Sequence, residues 1–277
     1  MKRDSRHTLL FILADPVIKE HCLSLKKCHI NYNIEFLNNE EFHFKDFYAG
    51  NTFVLCDKDD CIEKAVKSGL PVIAVSHPFN REESLFGTPY MILLDKENCP
   101  EELQTPGYLE KVFCRHYHIP LVIGESSRFL LRELSMDDLE DLLRLDLENI
   151  SDEDALFFPR EYLTSRHRLL HCESFLKNYI SCRYAFFEIG FYGIIDKKSD
   201  DFLGFAGFNT PGDHSAEIGY VLKKKFRRQG IGTEILPVLL NYFRTLYPAL
   251  PIRVSMKKDN IASRKLAEKY GLHCDIH

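Results

Sequence analysis

The chain has 277 residues, of which 45 % are apolar and 28 % are charged. This composition excludes a disordered tail, a collagen and a coiled coil. At about 100–200 residues per domain, the length predicts two domains, each large enough to bury its own core. Lys and Arg number 36 against 41 Asp and Glu, a net charge of -5, so the overall field favours neither a nucleic acid nor an anionic membrane as a partner.

The nine cysteines include no CxxC pair and have no regular spacing. A secreted disulfide framework and a zinc site are therefore not expected, and we interpret the cysteines as small buried thiols without a metal. The apolar run at residues 8–14 is too short to span a membrane and is typical of a buried strand. We expect a cytoplasmic protein.

The first half alternates short apolar runs with stretches of helical spacing. Strands covered on both faces are predicted at residues 8–14, 53–56, 72–75 and 91–94, and helices at 19–28, 61–68 and 101–118. Pro106-Gly107 interrupts the last helix or delays its start. Because short links between alternating strands and helices imply parallel pairing, we expect residues 1–125 to form a Rossmann-like α/β domain.

A polar stretch at residues 124–127 predicts the link between the two domains. The charge balance changes there, because residues 1–125 carry 14 basic and 19 acidic side chains and residues 126–277 carry 22 of each. After the link we expect a strand, a helix that Ser135 begins, a second helix, three antiparallel strands, and then helix, strand and helix. Residues 126–277 are therefore predicted to form a mixed α/β domain.

The loop after the third antiparallel strand contains a run of cations and two glycines, and it leads directly into a helix. Gly230 and Gly232 would let the backbone approach a bulky anion, and the N–H groups of the helix start would converge on that anion. This pattern predicts a site for a diphosphate. The alternative interpretation is an ordinary helix start on a solvated basic patch.

Three spaced motifs in this half match one family: Arg227-x-x-Gly230-x-Gly232, Asn260-x-x-Ser263 and Glu268-Lys269-x-Gly271-Leu272. They resemble the diphosphate signature and the final helix of the GNAT superfamily of acyl-CoA-dependent N-acyltransferases. The resemblance covers residues 128–274, and the AEIGYVL strand is most similar to the group that includes ribosomal-protein N-terminal acetyltransferases. It implies acetyl-CoA as cosubstrate and, as acceptor, a primary amine of a small molecule or a protein N-terminus.

The resemblance also implies which residues hold the cofactor. Backbone amides around the two glycines would bind the CoA diphosphate, and the strand backbone near Val221 and Leu222 would pair with the pantetheine arm. Asn260 would hydrogen-bond that arm or cap the last helix, and the nearby cations would attract the phosphates. The predicted cofactor-binding residues are Val221, Leu222, Arg227, Arg228, Gln229, Gly230, Ile231, Gly232, Thr233, Asn260 and Ser263.

For catalysis, the resemblance implies direct attack of a neutral amine on the thioester. Glu217 is the candidate base, and the alternative for it is a surface carboxylate on an alternating strand. Many family members have a tyrosine that protonates the leaving sulfur, but this chain has Ala267 at that position. Tyr270, Ser263 or no general acid at all remain as alternatives.

Residues 53–76, with 90–95 and 101–103, resemble the later half of haloacid-dehalogenase-like phosphatases. In active members, residues matching Asp57, Asp59 and Asp60 help to bind magnesium. The first strand of that family ends in two aspartates, whereas here it is followed only by Asp15. The resemblance therefore implies a phosphatase-like fold without activity.

Three functions compete at this stage. The first is N-acetyl transfer, the second is a non-catalytic acyl-CoA-binding regulatory protein, and the third is a phosphatase with an accessory acyltransferase domain. Two further expectations concern the fold. Pro237 would kink its helix if it lies beyond the first turn, and the few residues after Leu272 leave little room for a last strand, so a second copy in a homodimer or the N-terminal domain would cover that edge.

Overall fold

The computed structural model describes residues 7–12, 20, 32–37, 52–76, 80, 92–95, 103, 107–152, 155–184, 188–209 and 215–276. The chain divides into two compact units, residues 1–119 and 120–277. This division lies six residues before the boundary expected from the sequence. The reason is that Val122–Glu125, treated above as the end of the first half, forms a strand that pairs with the second sheet.

The first unit contains a five-stranded sheet in the order β2-β1-β3-β4-β5. All four strand pairs are parallel, as the Rossmann-like prediction requires. The strands are β1 His7–Ile12, β2 Tyr32–Phe36, β3 Thr52–Cys56, β4 Val72–Ser76 and β5 Ile92–Asp95, and the helices are α1 Asp59–Lys67 and α2 Tyr108–His116. Every residue of β3 is buried, which explains its continuous apolar run.

Several details of the first unit differ from the sequence prediction. Strand β2 was not predicted, because its YNIEF sequence mixes polar and apolar residues. Helix α2 begins late, after Gly107, whose φ of 80° is left-handed. Asp57 is buried at the end of β3, and its carbonyl accepts a hydrogen bond from Asn80 at 3.1 Å. The helix expected at 19–28 lies almost wholly outside the described residues, and Asp15 lies outside them as well.

The second unit is built on a seven-stranded sheet in the order β12-β11-β10-β9-β8-β7-β6. Pairs from β6 to β10 are antiparallel, and the β10–β11 and β11–β12 pairs are parallel. The strands are β6 Val122–Glu125, β7 Phe129–Glu133, β8 Phe191–Asp196, β9 Phe202–Phe208, β10 Ala216–Leu222, β11 Ile252–Met256 and β12 His273–Ile276. Strand β12 shows that the residues after Leu272 do form a last strand.

Helices cover both faces of this sheet. On one face lie α3 Leu139–Glu148, α4 Arg160–Thr164 and α5 Arg168–Asn178, and on the other lie α6 Ile231–Leu246 and α7 Ile261–Lys269. Each layer buries its own apolar cluster against the strands. A π-helical turn, Tyr179–Arg183, follows α5. Within the described parts of the chain, every helix is too short or too polar to cross a bilayer.

Asp146 on α3 is a fully buried carboxylate that fixes the segment before α4. It accepts hydrogen bonds from the backbone N–H of Phe157 at 3.0 and 3.1 Å and of Phe158 at 2.7 Å. Burial raises the pKa of Asp146 to about 6, although the two N–H groups act in the opposite direction. These bonds hold both phenylalanine side chains in the core beneath α4.

The raised pKa of Asp146 predicts a pH dependence of stability. The folded protein binds this proton more tightly than the unfolded chain, so the free energy of unfolding should fall as pH rises from about 4 to about 6. Asp146→Asn should remove this decrease in the free energy of unfolding, which amounts to about 3 kcal/mol over that pH range. Urea denaturation followed by circular dichroism measures the difference between the variant and the unchanged protein, and parallel pH profiles would contradict the assignment.

Candidate active site

The central feature of the second unit is a cleft where two parallel strands separate. Strands β10 and β11 pair only at Ala216 with Ile252 and at Glu217 with Arg253. Beyond Glu217 they diverge, and a cavity of about 800 Å³ opens between residues 218–221 and 254–256. The loop after α3, the loop after β11 and the start of α7 also line the cavity, together with Phe191 of β8, Phe205 of β9 and Leu236 of α6.

The diverging strands turn one edge of β10 toward the cleft. The opposite edge of β10 pairs with β9 from Ile218 to Leu222. Because a strand has backbone groups on both edges, alternate N–H and C=O groups of this stretch face the cleft rather than a neighbouring strand. Val221 lines the cleft, whereas the side chain of Leu222 is buried. An extended ligand arm can pair with β10 here, as expected for Val221.

The glycine-containing loop follows β10 and contains two left-handed residues. Arg228 has a φ of 61° and Gly230, which precedes α6, has a φ of 77°. Such positions between right-handed or extended residues make the backbone concave toward the side where N–H groups gather. Ile231 and Gly232 begin α6, so their N–H groups have no partner inside that helix. The loop residue Gln229 precedes this helix start, and the Thr233 N–H already donates to the Gly230 carbonyl at 3.1 Å, so Ile231 and Gly232 carry the open N–H groups where a diphosphate was expected.

Gly232 is explained by packing between helices. A Cβ atom on Gly232 would lie 2.9 Å from Cδ2 of Leu266 on α7 and 3.6 Å from the ring of Tyr220. The sequence prediction attributed this glycine to close approach of an anion. The structure shows that it also lets α7 and β10 approach the first turn of α6, which places the loop next to the cleft.

Two cations of the loop are engaged by α3. The Arg227 guanidinium donates to the Leu222 carbonyl at 3.0 Å and to Oδ1 of Asn149 at 2.6 Å. Lys223 forms an ion pair of 2.6 Å with Asp141. Arg227 lines the cleft, but these contacts show that it braces the loop. The expected attraction of phosphate therefore has to come from other groups, such as the exposed Arg228 and the backbone N–H groups.

A carboxylate at the start of α6 ties the loop to the β6–β7 hairpin. Glu234 accepts hydrogen bonds from the hydroxyls of Ser126 at 3.0 Å and Ser127 at 3.1 Å, and from Nε of Arg128 at 2.6 Å. Arg128 also donates to the Gln229 carbonyl at 2.9 Å. These partners, Arg128 first among them, lower the pKa of Glu234. The stretch predicted to be an interdomain link is therefore part of the site's support.

Glu217 lies where β10 and β11 part. Its side chain is exposed and lines the cleft, and its Oε2 accepts a hydrogen bond from Nδ2 of Asn209 at 3.3 Å. The backbone N–H of Asn209 also donates to the Glu217 carbonyl at 2.9 Å. Asn209 thus orients a carboxylate that faces the cavity, which is the placement that a base requires.

The start of α7 brings two predicted residues to the opposite wall. Asn260 caps this helix, because its Oδ1 accepts a hydrogen bond from the N–H of Ser263 at 3.2 Å. Both residues line the cleft. The Ser263 hydroxyl lies 3.1 Å from the hydroxyl of Tyr220, which comes from β10. The capping interpretation of Asn260 is confirmed, and it leaves the Nδ2 group of that side chain for a ligand.

Tyr270 has a different partner. Its hydroxyl donates to the Thr233 carbonyl on α6 at 3.0 Å, and its side chain is not among those lining the cleft. Pro237 explains the contact, because it lies four residues after Thr233 and has no N–H to give that carbonyl. Helix α6 continues past Pro237 to Leu246. Tyr270 therefore supports α6, and its side chain does not lie in the cleft where a general acid for the leaving sulfur would be needed.

An ion pair lies at the rim of the cleft. Asp152, in the loop after α3, approaches Nζ of Lys257, in the loop after β11, at 2.6 Å. Both residues line the cavity, and both are half exposed. Among the described residues, no cluster of three or more His, Cys, Asp or Glu side chains is placed to bind a metal ion.

Sequence reasoning missed three functional residues: Tyr220, Asn209 and Asn149. None belongs to the glycine-containing motif or to the final-helix motif. For Tyr220 a signal existed, because a tyrosine between apolar residues on a strand needs a partner for its hydroxyl when it is covered. For the two asparagines no local pattern indicated a role.

The profile of the acetyltransferase (GNAT) domain matches residues 128–273, more than half of the chain. None of the curated proteins matches the chain.

Solved structures with a similar fold include three acetyltransferases. RimL, a ribosomal L7/L12 alpha-N-protein acetyltransferase in complex with coenzyme A, is 22 % identical, with 54 % of this chain and 82 % of that chain covered and a TM-score of 0.45. An enzyme from Salmonella typhimurium that modifies the N-terminal serine of L7/L12 is 20 % identical, with coverage of 54 % and 83 % and a TM-score of 0.41. A GNAT-family acetyltransferase from Bacillus anthracis is 20 % identical, with coverage of 53 % and 81 % and a TM-score of 0.40.

The contact between Tyr270 and Thr233 predicts a coupling with Pro237. Tyr270→Phe should lower the free energy of unfolding by about 0.5–1 kcal/mol. In a Pro237→Ala background the cost should nearly vanish, because the new N–H can serve the Thr233 carbonyl from within α6. Urea denaturation of the two single variants and the double variant measures this coupling. Additive costs would show that Tyr270 does not replace the missing donor.

Proposed function

Because the chain belongs to the GNAT family of acetyltransferases, we propose that it transfers the acetyl group of acetyl-CoA to a primary amine. The acceptor is an amine of a small molecule or of a protein N-terminus. One observation carries the proposal: the separation of β10 from β11 creates an extended cleft that contains a carboxylate and a hydroxyl, and the loop after β10, whose Arg227 lines this cleft, leads into the concave, N–H-rich start of α6.

The residues present fit acetyl-CoA. The left-handed backbone at Arg228 and Gly230 and the open N–H groups of Ile231 and Gly232 suit a diphosphate. The free edge of β10 at Val221 suits the amides of a pantetheine arm. When bound, acetyl-CoA would supply the acetyl group as a thioester, whose carbonyl carbon accepts the amine and whose sulfur leaves.

Different residues of this chain would then remove the proton, orient the amine and stabilise the leaving sulfur. Glu217, oriented by Asn209, takes a proton from the incoming ammonium, directly or through water. Both walls of the cleft orient the amine toward the thioester carbon. Ser263 donates a hydrogen bond to the departing sulfur at the N-terminus of α7, where the helix dipole also favours negative charge. A CoA thiolate is a tolerable leaving group, so full protonation by a tyrosine at Ala267 is not required.

The first experiment separates an enzyme from a non-catalytic CoA-binding protein. Calorimetry with CoA tests binding, and release of free thiol from acetyl-CoA in the presence of an amine panel tests turnover. We expect both binding and amine-dependent thiol release. Binding without thiol release for any small amine or N-terminal peptide would favour the regulatory alternative, which Ala267 at the usual tyrosine position supports.

Glu217→Gln tests the base. We expect kcat to fall about 10²–10⁴-fold at neutral pH, because the amide cannot accept the proton. The dissociation constant for CoA should stay within about twofold, because the carboxylate does not contact the diphosphate end. Steady-state kinetics and calorimetry measure the two quantities. Glu140→Gln, which removes an exposed carboxylate paired with Arg144, is the matched control. Equal losses of binding and turnover would refute the assignment.

For the first unit we propose a non-catalytic role in a cytoplasmic protein. Its parallel sheet agrees with the phosphatase-like resemblance in strand pairing only. Asp59 and Asp60 lie in the first turn of α1, where acidic residues stabilise a helix without any metal. Magnesium-dependent phosphatase activity that Asp15→Asn abolishes would overturn this proposal.

A further inference from the structure

We propose that Tyr220 is a positioning residue that directs the Ser263 hydroxyl toward the sulfur of CoA. The inference rests on the proposed function, because it concerns the same cleft. It assigns a role to a residue outside the glycine-containing motif and the final-helix motif. It also explains how the chain stabilises a leaving thiolate although Ala267 occupies the position where many family members have a tyrosine.

The geometry that carries the inference is a pair of hydroxyl groups. The Tyr220 and Ser263 oxygens are 3.1 Å apart, and both residues line the cleft. Ser263 is fixed at the start of α7 by the bond from its N–H to Asn260. The Tyr220 ring packs against the buried cluster that includes Ile231 of α6 and Leu266 of α7, and it lies 3.6 Å from the vacant Cβ position of Gly232.

Acidity decides which hydroxyl donates. Either oxygen can be the donor at this distance. A phenol, with a pKa of about 10, gives up its hydrogen more readily than an aliphatic alcohol. When Tyr220 donates to the serine oxygen, the serine hydrogen is left for a third group. Donation into Ser263 also polarises its O–H bond and strengthens the bond that it makes in turn.

The sulfur of CoA is the group that this hydrogen would serve. In the reaction, the bond between the amine nitrogen and the acetyl carbon forms, and the C–S bond breaks with its electron pair on sulfur. Glu217 passes the proton of the ammonium to solvent before the attack and then accepts the second proton, which the nitrogen loses as the amide forms, so Ser263 and Tyr220 keep their own protons throughout. Their role is to stabilise the thiolate anion, because a hydrogen bond to a charged acceptor is stronger than a hydrogen bond to a neutral acceptor.

Tyr220→Phe isolates this role, because it removes one oxygen and keeps the ring that packs on Gly232 and Leu266. The matched control is Tyr270→Phe, which removes a hydroxyl on the Thr233 carbonyl, outside the cleft lining. The readout is the pKa of the thiol in bound CoA, followed by the ultraviolet absorbance of the thiolate as pH is raised. This measurement needs neither turnover nor a known amine.

We expect the unchanged protein to hold the pKa of bound CoA below that of the free thiol. Tyr220→Phe should raise that pKa by about half a unit, Ser263→Ala should raise it by at least as much, and Tyr270→Phe should leave it unchanged. In the Ser263→Ala background, Tyr220→Phe should add nothing, because it acts through the serine. Binding of desulfo-CoA, which lacks the sulfur, should be the same for all variants.

Two outcomes would overturn the inference while the proposed function stands: a CoA thiol pKa that Tyr220→Phe does not move, or a shift that persists in the Ser263→Ala background. Weaker binding of desulfo-CoA by Tyr220→Phe would likewise assign Tyr220 to packing of the cleft wall. Failure of the proposed function has a different signature, because the unchanged protein would then either bind neither CoA nor desulfo-CoA, or bind CoA but release no thiol from acetyl-CoA with any amine.

Discussion

The separation of β10 and β11 after Glu217 is the constraint on which the rest of the second unit depends. A parallel pair that stayed in register would satisfy its own backbone groups and leave no room for a ligand. Because the strands part, backbone donors and acceptors of β10 become available in an extended row, and α6 and α7 approach the opening from one face of the sheet. At Gly232, the side chain of Leu266 on α7 comes within 2.9 Å of where a Cβ atom would lie.

Charge in the loop is used mainly to hold the loop in shape. The sequence shows a dense run of cations, but two of them already have partners in α3 or directly after it. Lys223 pairs with Asp141, and Arg227 donates to Asn149. Glu234 adds a third tie to the β6–β7 hairpin through Arg128. The anion binding that we propose would then depend on backbone N–H groups that these contacts have already ordered, so little conformational entropy would be lost when the ligand binds. A rigid concave backbone is a more specific phosphate site than a cluster of mobile lysines.

Most of the described strands and helices, the loop and the capping residue could be predicted because local sequence determines them. Gly230 adopts the left-handed φ of the turn before α6 without steric cost, and Asn260 caps the helix that it precedes. The contact of Tyr270 with Thr233 could not be predicted, because it depends on a carbonyl 37 residues away that Pro237 leaves without a donor. Strand β6 was missed for a similar reason, since four residues with a Gly/Ser-rich end resemble a linker until a partner strand is known.

Ala267 raises the question of what an acetyltransferase needs at its leaving group. A tyrosine there would supply a proton, but CoA can leave as a thiolate, because a thiol gives up its proton far more readily than an alcohol. Stabilising that anion by hydrogen bonds therefore achieves most of what protonation would. The Tyr220–Ser263 pair, at the N-terminus of α7, combines a polarised hydroxyl with the positive end of a helix dipole. On this view the phenol of the site is Tyr220 on β10 instead of a tyrosine on α7. It acts through Ser263, whose backbone is held at the start of α7 by the cap of that helix.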